Sequence, residues 1–123
     1  MDLVRNSDVA EIVRVFGEAD VAEWASLTGA RDLPRGEVPG PLVASLVSCL
    51  LGTRLPGRGT NWLKQRLMFV RAAVVGEPIT AQVQVVRVRP EKGLVNLRTT
   101  CTGAYGRVIL DGEALVLMKE MAS

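Results

Sequence analysis

The pattern of apolar and polar positions divides the chain into a largely helical first half and a second half of strands. Residues 11–16, "EIVRVF", are rich in β-branched side chains and predict a first strand. The segment that Gly17 opens and Gly29 closes has helical periodicity, which predicts an amphipathic helix covering part of the core. The residues on its predicted covering face are Val21, Trp24, Ala25 and Thr28.

Residues 41–52, "PLVASLVSCLLG", form the longest apolar run of the sequence. Pro41 suits the first turn of a helix, and Gly52 suits its end. Only Ser45 and Ser48 carry polar side chains in this run. Because such a helix is apolar nearly all round, we expect the rest of the fold to surround it.

The second half of the chain has the pattern of four strands separated by turns. The predicted strands cover residues 62–71, 79–89, 94–102 and 107–118, with turns at "AAVVGEP", "PEKG" and "GAYG". A slip in the alternation at Val85 and Val86 indicates a β-bulge. Three turns with no intervening helix predict a mostly antiparallel sheet.

The alternation along residues 62–71 also predicts which side chains share a face. One face is predicted to carry Leu63, Gln65, Leu67 and Phe69. The other face is predicted to carry Trp62, Lys64, Arg66 and Met68. A curved antiparallel sheet wrapped around one central apolar helix is an α+β arrangement of the hot-dog type.

Composition and charge are typical of one soluble domain. The chain has 123 residues, 48% hydrophobic and 23% charged with a net charge of +2, and we expect a single domain over residues 1–123. Basic residues form no block and only five residues are aromatic, so a nucleic-acid surface is not expected. The start of the chain lacks a signal-peptide pattern, and no apolar run approaches the ~20 residues of a membrane helix. We therefore expect a cytoplasmic protein with no membrane partner.

Several reactive or charged side chains are interpreted as structural. Cys49 and Cys101 lie 52 residues apart in apolar stretches, which matches no metal motif, so we expect buried free thiols and no metal. Ser45 and Ser48 have no adjacent base that would make either a nucleophile. Glu77 is interpreted as a turn residue.

Three stretches of the sequence carry the pattern of a known family. They are "GPLVASLVSCLLGTRLPG", "VVGEPITAQVQV" and "VILDGEALVL". These stretches resemble the MaoC-like, (R)-specific enoyl-CoA hydratase family, and the likeness extends over residues 16–118. The resemblance implies a hot-dog protein that acts as a lyase on acyl thioesters of coenzyme A or acyl carrier protein. It implies no separate cofactor, because coenzyme A or phosphopantetheine is part of the substrate.

The resemblance also implies a catalytic pair that this chain lacks. In the family, an aspartate and a histidine after the first helix act together on one water to hydrate an enoyl thioester. The aspartate position, directly after Thr28 and Gly29, is Ala30 here, and the chain contains no histidine. The family's glycine before the central helix is kept as Gly40, but the histidine that precedes it is Pro39 here. The usual hydration mechanism is therefore not expected.

Two acids and one glycine remain as candidate site residues before the central helix. Asp32 and Glu37 can each serve as a lone carboxylate base, or they can be solvated acids paired with Arg31 or Arg35. The resemblance implies that the N–H of Gly40 receives the thioester carbonyl. This glycine can also simply serve the backbone geometry at the helix start.

Basic residues near turns are candidates for binding phosphate. Arg87, Arg89 and Lys92 can contact the phosphates of coenzyme A or an acidic carrier protein, or they can be a solvated strand end. Arg54 and Arg58, after the central helix, have the same two interpretations.

These observations support more than one function. The first is an acyl-thioester-binding protein of the hydratase or dehydratase type whose Asp/His mechanism is lost or altered. The second is a non-catalytic subunit that pairs with an active hot-dog hydratase, and the third is a thioesterase or isomerase that uses a single carboxylate. The resemblance implies a dimer, which can be a homodimer or a heterodimer with another hot-dog subunit.

Overall fold

The computed structural model describes residues 5–57 and 60–118. Within these residues the chain forms two α-helices, α1 (Glu18–Thr28) and α2 (Gly40–Thr53). The strands are β1 (Val9–Val15), β2 (Glu37–Val38), β3 (Thr60–Phe69), β4 (Ala73–Val74), β5 (Pro78–Arg89), β6 (Leu94–Thr102) and β7 (Val108–Met118). Arg58, one of the basic candidates, lies outside the described residues.

Five strands form one antiparallel sheet in the order β1-β5-β6-β7-β3, with β1 and β3 at its edges. The strands β2 and β4 form a separate short ladder, in which Glu37 lies opposite Val74 and Val38 opposite Ala73. Helix α2 packs on β5, β1 and β6. The predicted α+β arrangement, a mostly antiparallel sheet around one apolar helix, is confirmed.

The core lies between α2 and the sheet. The helix contributes Val43, Leu46, Val47, Leu50 and Leu51, all of them buried. Every second residue of the facing strands is also buried: Ile79, Ala81, Val83, Val95 and Leu97. This alternation is expected because successive side chains of a strand point to opposite faces, and only one face meets the helix.

The sequence had led us to expect that the fold surrounds α2 on all sides, but one side of this helix is exposed. Pro41, Ser45 and Cys49 recur every four residues and are exposed, since this spacing keeps them on one side of the helix. Cys49 is therefore an exposed thiol, contrary to the prediction. Cys101 is buried as predicted, and burial raises the pKa of its thiol to about 12.

A bulge near the start of β3 corrects the predicted face assignment of this strand. Trp62 pairs with Val116 and Lys64 pairs with Leu115, so Leu63 has no partner on β7. Directly paired residues share a face of the sheet. The side chain of Val116 is buried on the face that meets the core, so Trp62 lies on this inner face. The other inner-face residues of β3 are Gln65, Leu67 and Phe69. Simple alternation failed here because the extra residue reverses the phase.

The bulge predicted in the longer strand β5 is confirmed. Val85 pairs with Leu97 and Arg87 pairs with Asn96, which leaves Val86 without a partner. The turn predicted at residues 90–93 is also present, as a short 3-10 helix over Pro90–Lys92.

Helix α1 forms where it was predicted. It begins after Gly17, whose N–H donates to the Asp20 carboxylate at 2.8 Å, and it ends at Gly29 in the left-handed conformation (φ 75°). Such a φ is costly for residues with a Cβ, which explains a glycine at this position. Of the predicted covering face, Val21, Trp24 and Ala25 are half-buried, whereas Thr28 is exposed.

Candidate functional site

A pocket of about 540 Å³ opens at the first turn of α2. Its walls come from α1, the loop before β2, the start of α2 and the segment from the end of β3 to β4. Most of the lining side chains are apolar, including Trp24, Leu33, Val43, Phe69, Val70 and Ile109. Glu37 and Arg71 are the charged residues among those that line it. This is a cleft for a largely apolar group with a polar end.

Gly40 lies in this pocket at the start of α2 and packs against an aromatic ring. A Cβ on Gly40 would lie 3.2 Å from the Cε1 and Cζ atoms of Phe69, so a larger residue at this position would need the ring to shift by a few tenths of an ångström. The first N–H groups of a helix have no acceptor within the helix. Pro41 has no N–H, and the N–H of Leu42 donates to the Pro39 carbonyl at 3.0 Å. Within the described residues, the N–H of Gly40 is therefore a donor at this helix start without an acceptor in the helix.

The structure separates the two candidate acids. Glu37 lines the pocket together with Gly40, because the pairing of β2 with β4 holds it beside the helix start. Asp32, which is exposed as Glu37 is, has a positive φ of 57° and is not among the residues that line the pocket. Within the described part of the chain, the ion pairs do not join either acid to Arg31 or Arg35.

A buried ion pair fixes the backbone behind the pocket. The Glu77 carboxylate, 8% exposed, accepts two hydrogen bonds from Nη2 of Arg107, at 2.6 and 2.7 Å. It also accepts the N–H groups of Ala104 at 2.8 Å and of Val74 at 2.5 Å. Burial raises the pKa of Glu77, but the hydrogen bonds and the charge of Arg107 outweigh it and lower the pKa below its ordinary value.

This ion pair extends the earlier interpretation of Glu77 as a turn residue. Val74, which donates to Glu77, pairs directly with Glu37 of β2, so the buried carboxylate supports the strand that leads into α2. A Cβ on Gly103 would lie 2.2 Å from Oε1 of Glu77, so only glycine fits beside the carboxylate. Sequence reasoning missed the pair because Arg107 lies 30 residues further along, with no local pattern to connect the two.

Arg54 follows α2, and its Nη1 donates to the Glu11 carbonyl at 2.9 Å. The other three basic candidates lie at the other end of the sheet from the pocket. Phe69, at the pocket end, pairs with Leu110, whereas Met118, at the opposite end of β7, donates its N–H to the Gly93 carbonyl beside Lys92. Arg87 and Lys92 are exposed, and Nη2 of the half-buried Arg89 donates to Oδ1 of Asn96 at 3.0 Å. The structure therefore does not bring these three residues to the pocket of the same chain.

The described residues contain no group of three or more His, Cys, Asp or Glu side chains placed to hold a metal ion. In the same part of the chain, no helix is long and apolar enough to cross a membrane.

Comparison with known proteins identifies the family. No protein-family model matches the chain. It is 35% identical over 120 residues to the (R)-specific enoyl-CoA hydratase of Aeromonas caviae, a match that covers 87% of this chain and 90% of the relative. The (R)-specific enoyl-CoA hydratase of Rhodospirillum rubrum is 46% identical over 79 residues, which cover 64% of this chain and 54%, about half, of the relative.

A solved structure supports the same assignment. The (R)-hydratase of A. caviae involved in PHA biosynthesis superimposes with a TM-score of 0.86 at 32% identity, over 94% of this chain and 97% of that one. The chain therefore belongs to the (R)-specific enoyl-CoA hydratase family of MaoC-like hot-dog proteins. The family resemblance and the hot-dog fold inferred from the sequence are both confirmed.

Proposed function

We propose that this chain binds acyl thioesters in the pocket at the start of α2, as a hydratase-type hot-dog protein whose usual Asp/His mechanism is lost or altered. The observation that carries the proposal is the apolar pocket of about 540 Å³ that holds Gly40 at a helix N-terminus, in a chain without histidine. The names of the relatives supply the substrate class: hydratases of enoyl-CoA and a dehydratase of 3-hydroxyacyl-[acyl-carrier-protein].

The two kinds of wall suit the two parts of an acyl thioester. The acyl chain fits the apolar side chains, among them Trp24, Val43 and Ile109. The thioester carbonyl accepts the N–H of Gly40, where the positive end of the helix dipole stabilises charge that develops on the oxygen. Neither interaction requires an acid or a base, so binding survives the loss of the catalytic pair.

Hydration also requires proton transfer, which this pocket cannot carry out with the usual aspartate and histidine. Addition of water to an enoyl thioester needs one group to take a proton from the water and a proton donor for the α-carbon. Glu37 is the carboxylate that lines the pocket, and the chain contains no histidine to share the task. A lone Glu37 is suited to orienting one water or to single-carboxylate thioesterase chemistry. Asp32 would have to move towards the pocket to act in the same way.

A second candidate function is a non-catalytic subunit of a two-chain hydratase. The ChsH1–ChsH2 and HadBC complexes of Mycobacterium tuberculosis contain chains of this fold, with TM-scores of 0.76 and 0.68 at 13% and 14% identity. That likeness supports the fold, and the two-chain assemblies show that hot-dog chains can work in unlike pairs. In this version, the partner supplies the aspartate and histidine while this chain supplies an interface.

Two assays on the purified chain separate binding without catalysis from single-carboxylate catalysis. Loss of the enoyl absorbance of crotonyl-CoA measures hydration, and release of free thiol measures thioester hydrolysis. We expect crotonyl-CoA or crotonyl acyl carrier protein to bind to the chain. We expect the chain not to hydrate either compound at a rate typical of enzymes. Turnover that Glu37→Gln abolishes and Asp32→Asn leaves unchanged would favour the single-carboxylate alternative. The absence of binding to either carrier would overturn the proposal.

A further inference from the structure

Arg71 is a cation without a carboxylate partner at the rim of the apolar pocket. It is exposed and lines the pocket together with the apolar residues Val70 and Ile109. Among the described residues, the ion pairs do not include Arg71. Its Nη1 donates to the Val108 carbonyl at 3.3 Å, and this neutral acceptor leaves the positive charge of the guanidinium uncompensated.

The start of β7 holds Arg71 at the pocket wall. The N–H groups of Val70 and Arg71 both donate to the Ile109 carbonyl, at 2.8 and 3.4 Å. Ile109 is buried and lines the pocket, and its neighbour Val108 accepts the guanidinium. The other two guanidinium nitrogens, Nε and Nη2, make no hydrogen bond to the described part of the chain. Two such N–H groups side by side match the two oxygens of a carboxylate.

The other charged groups at this wall do not neutralise Arg71. Nη1 of Arg107 donates to the carbonyl of the adjacent residue, Ala72, at 3.4 Å. The charge of Arg107 is itself balanced by the buried carboxylate of Glu77. Glu37 lines the same pocket but does not form an ion pair with Arg71. An anionic group in the pocket is attracted by Arg71 and repelled by Glu37, so the two charges favour a position beside the guanidinium.

We propose that Arg71 makes the pocket selective for acyl thioesters whose acyl chain ends in a carboxylate. This inference rests on the proposed function, because it takes the acyl chain to lie in the pocket with its carbonyl at Gly40. A carboxylate that enters an apolar cleft loses its hydration, which is costly unless the cleft supplies a partner. Arg71 supplies that partner, whereas an acyl chain that ends in a methyl group gains nothing from the guanidinium.

The phosphates of the carrier are the other anions that a guanidinium can bind. In coenzyme A and in acyl carrier protein, the long pantetheine arm separates the nearest phosphate from the thioester. With the carbonyl at Gly40, that phosphate lies far from Gly40, whereas Arg71 and Gly40 line one pocket of about 540 Å³. The size of the pocket therefore favours a carboxylate on the acyl chain.

Calorimetric titration with glutaryl-CoA and valeryl-CoA tests the proposal, because these compounds have equally long acyl chains and differ in the terminal carboxylate. The variant is Arg71→Gln. Its matched control, Arg98→Gln, removes the same charge from an exposed side chain on the outer face of β6, between the buried residues Leu97 and Thr99. Glutaryl pantetheine, which lacks the phosphates, and free coenzyme A distinguish the two sources of negative charge.

We expect the wild type to bind glutaryl-CoA at least about tenfold more tightly than valeryl-CoA, and added salt to reduce this preference. Arg71→Gln should weaken the binding of glutaryl-CoA and of glutaryl pantetheine by about tenfold and leave that of valeryl-CoA unchanged. Arg98→Gln should keep the wild-type preference.

Equal weakening of both CoA thioesters and of free coenzyme A by Arg71→Gln would assign the arginine to a carrier phosphate and overturn the proposal. Equal affinities of the wild type for glutaryl-CoA and valeryl-CoA would also overturn it, and this measurement requires no variant. That second result would leave the proposed function intact, because both thioesters bind. Binding of neither thioester would overturn the proposed function as well.

Discussion

Arg107 donates two hydrogen bonds to the buried carboxylate of Glu77 across 30 residues of sequence, at 2.6 and 2.7 Å. The same carboxylate accepts the N–H of Val74, and Val74 pairs with Glu37 beside the pocket. The start of α2 is thus supported by a polar network whose members come from three separate parts of the chain. Removal of the Glu77 carboxylate from this network should affect both the free energy of unfolding and the geometry of the pocket.

We expect Glu77→Gln to destabilise the chain by about 2–3 kcal/mol, because it leaves Arg107 without its counter-charge. The cost lies below the ~3–5 kcal/mol of a fully buried pair, since the side chain of Arg107 is 35% exposed. Urea unfolding measures the difference. The matched control, Glu113→Gln, removes an ion pair in which both side chains are exposed and should cost less than about 0.5 kcal/mol. Equal costs for the two variants would contradict the structural role of Glu77.

The stabilising effect of Glu77 should depend on pH with a definite sign. Its pKa is lower in the folded chain than its ordinary value of 4.5, so folding favours the ionised carboxylate. The extra stability is present above the unfolded-state pKa and is lost as the pH falls through the lower, folded-state pKa. The difference in unfolding free energy between wild type and Glu77→Gln should therefore be constant near neutral pH and shrink below 4.5. Urea titrations at several pH values test this. A free-energy difference that grows as the pH falls would contradict a lowered pKa of Glu77 in the folded chain.

Gly40→Ala should weaken acyl-CoA binding by about tenfold, or ~1.4 kcal/mol, because the new Cβ fills space in the pocket and crowds the Phe69 ring beside the N–H at the helix start. Gly52→Ala in the same helix is the control, since a Cβ there meets no atom within 4 Å. That control should keep its affinity and gain up to ~1 kcal/mol of stability from helix propensity. Calorimetric titration with crotonyl-CoA compares the two variants. Equal affinities would show that Gly40 does not border the ligand.

The two cysteines should differ sharply in reactivity towards a thiol reagent such as Ellman's reagent. Cys49 is exposed on α2 and should react in the native chain, whereas Cys101 is buried with a pKa of about 12 and should react only after unfolding. Counting reactive thiols with and without denaturant measures this. Rapid modification of both thiols in the folded chain would contradict the core packing described above.

The sequence predicted the elements well and their exposure less well. Helix α2, the strands of the large sheet and the bulge at Val86 were predicted because local periodicity and turn residues determine them. The bulge at Leu63 and the exposure of Cys49 were missed, since both depend on which neighbouring element is present. Gly40 became a candidate through the family pattern, and its role in binding stays a prediction. The partnership of Glu77 with Arg107 depends on tertiary packing and has no local sequence signal.

Fluorescence of Trp24 offers the most direct measurement of the central claim, the binding of an acyl thioester at the start of α2. Trp24 lines the pocket and Trp62 lies on the β3 edge, so a Trp62→Phe variant reports from the pocket alone. We predict a saturable change in Trp24 fluorescence with crotonyl-CoA, reached below about 1 mM, and a weaker response to free coenzyme A. The same titration should shift to higher concentration in the Gly40→Ala variant. No saturable change in this range, or a response that Gly40→Ala leaves unaltered, would contradict the account.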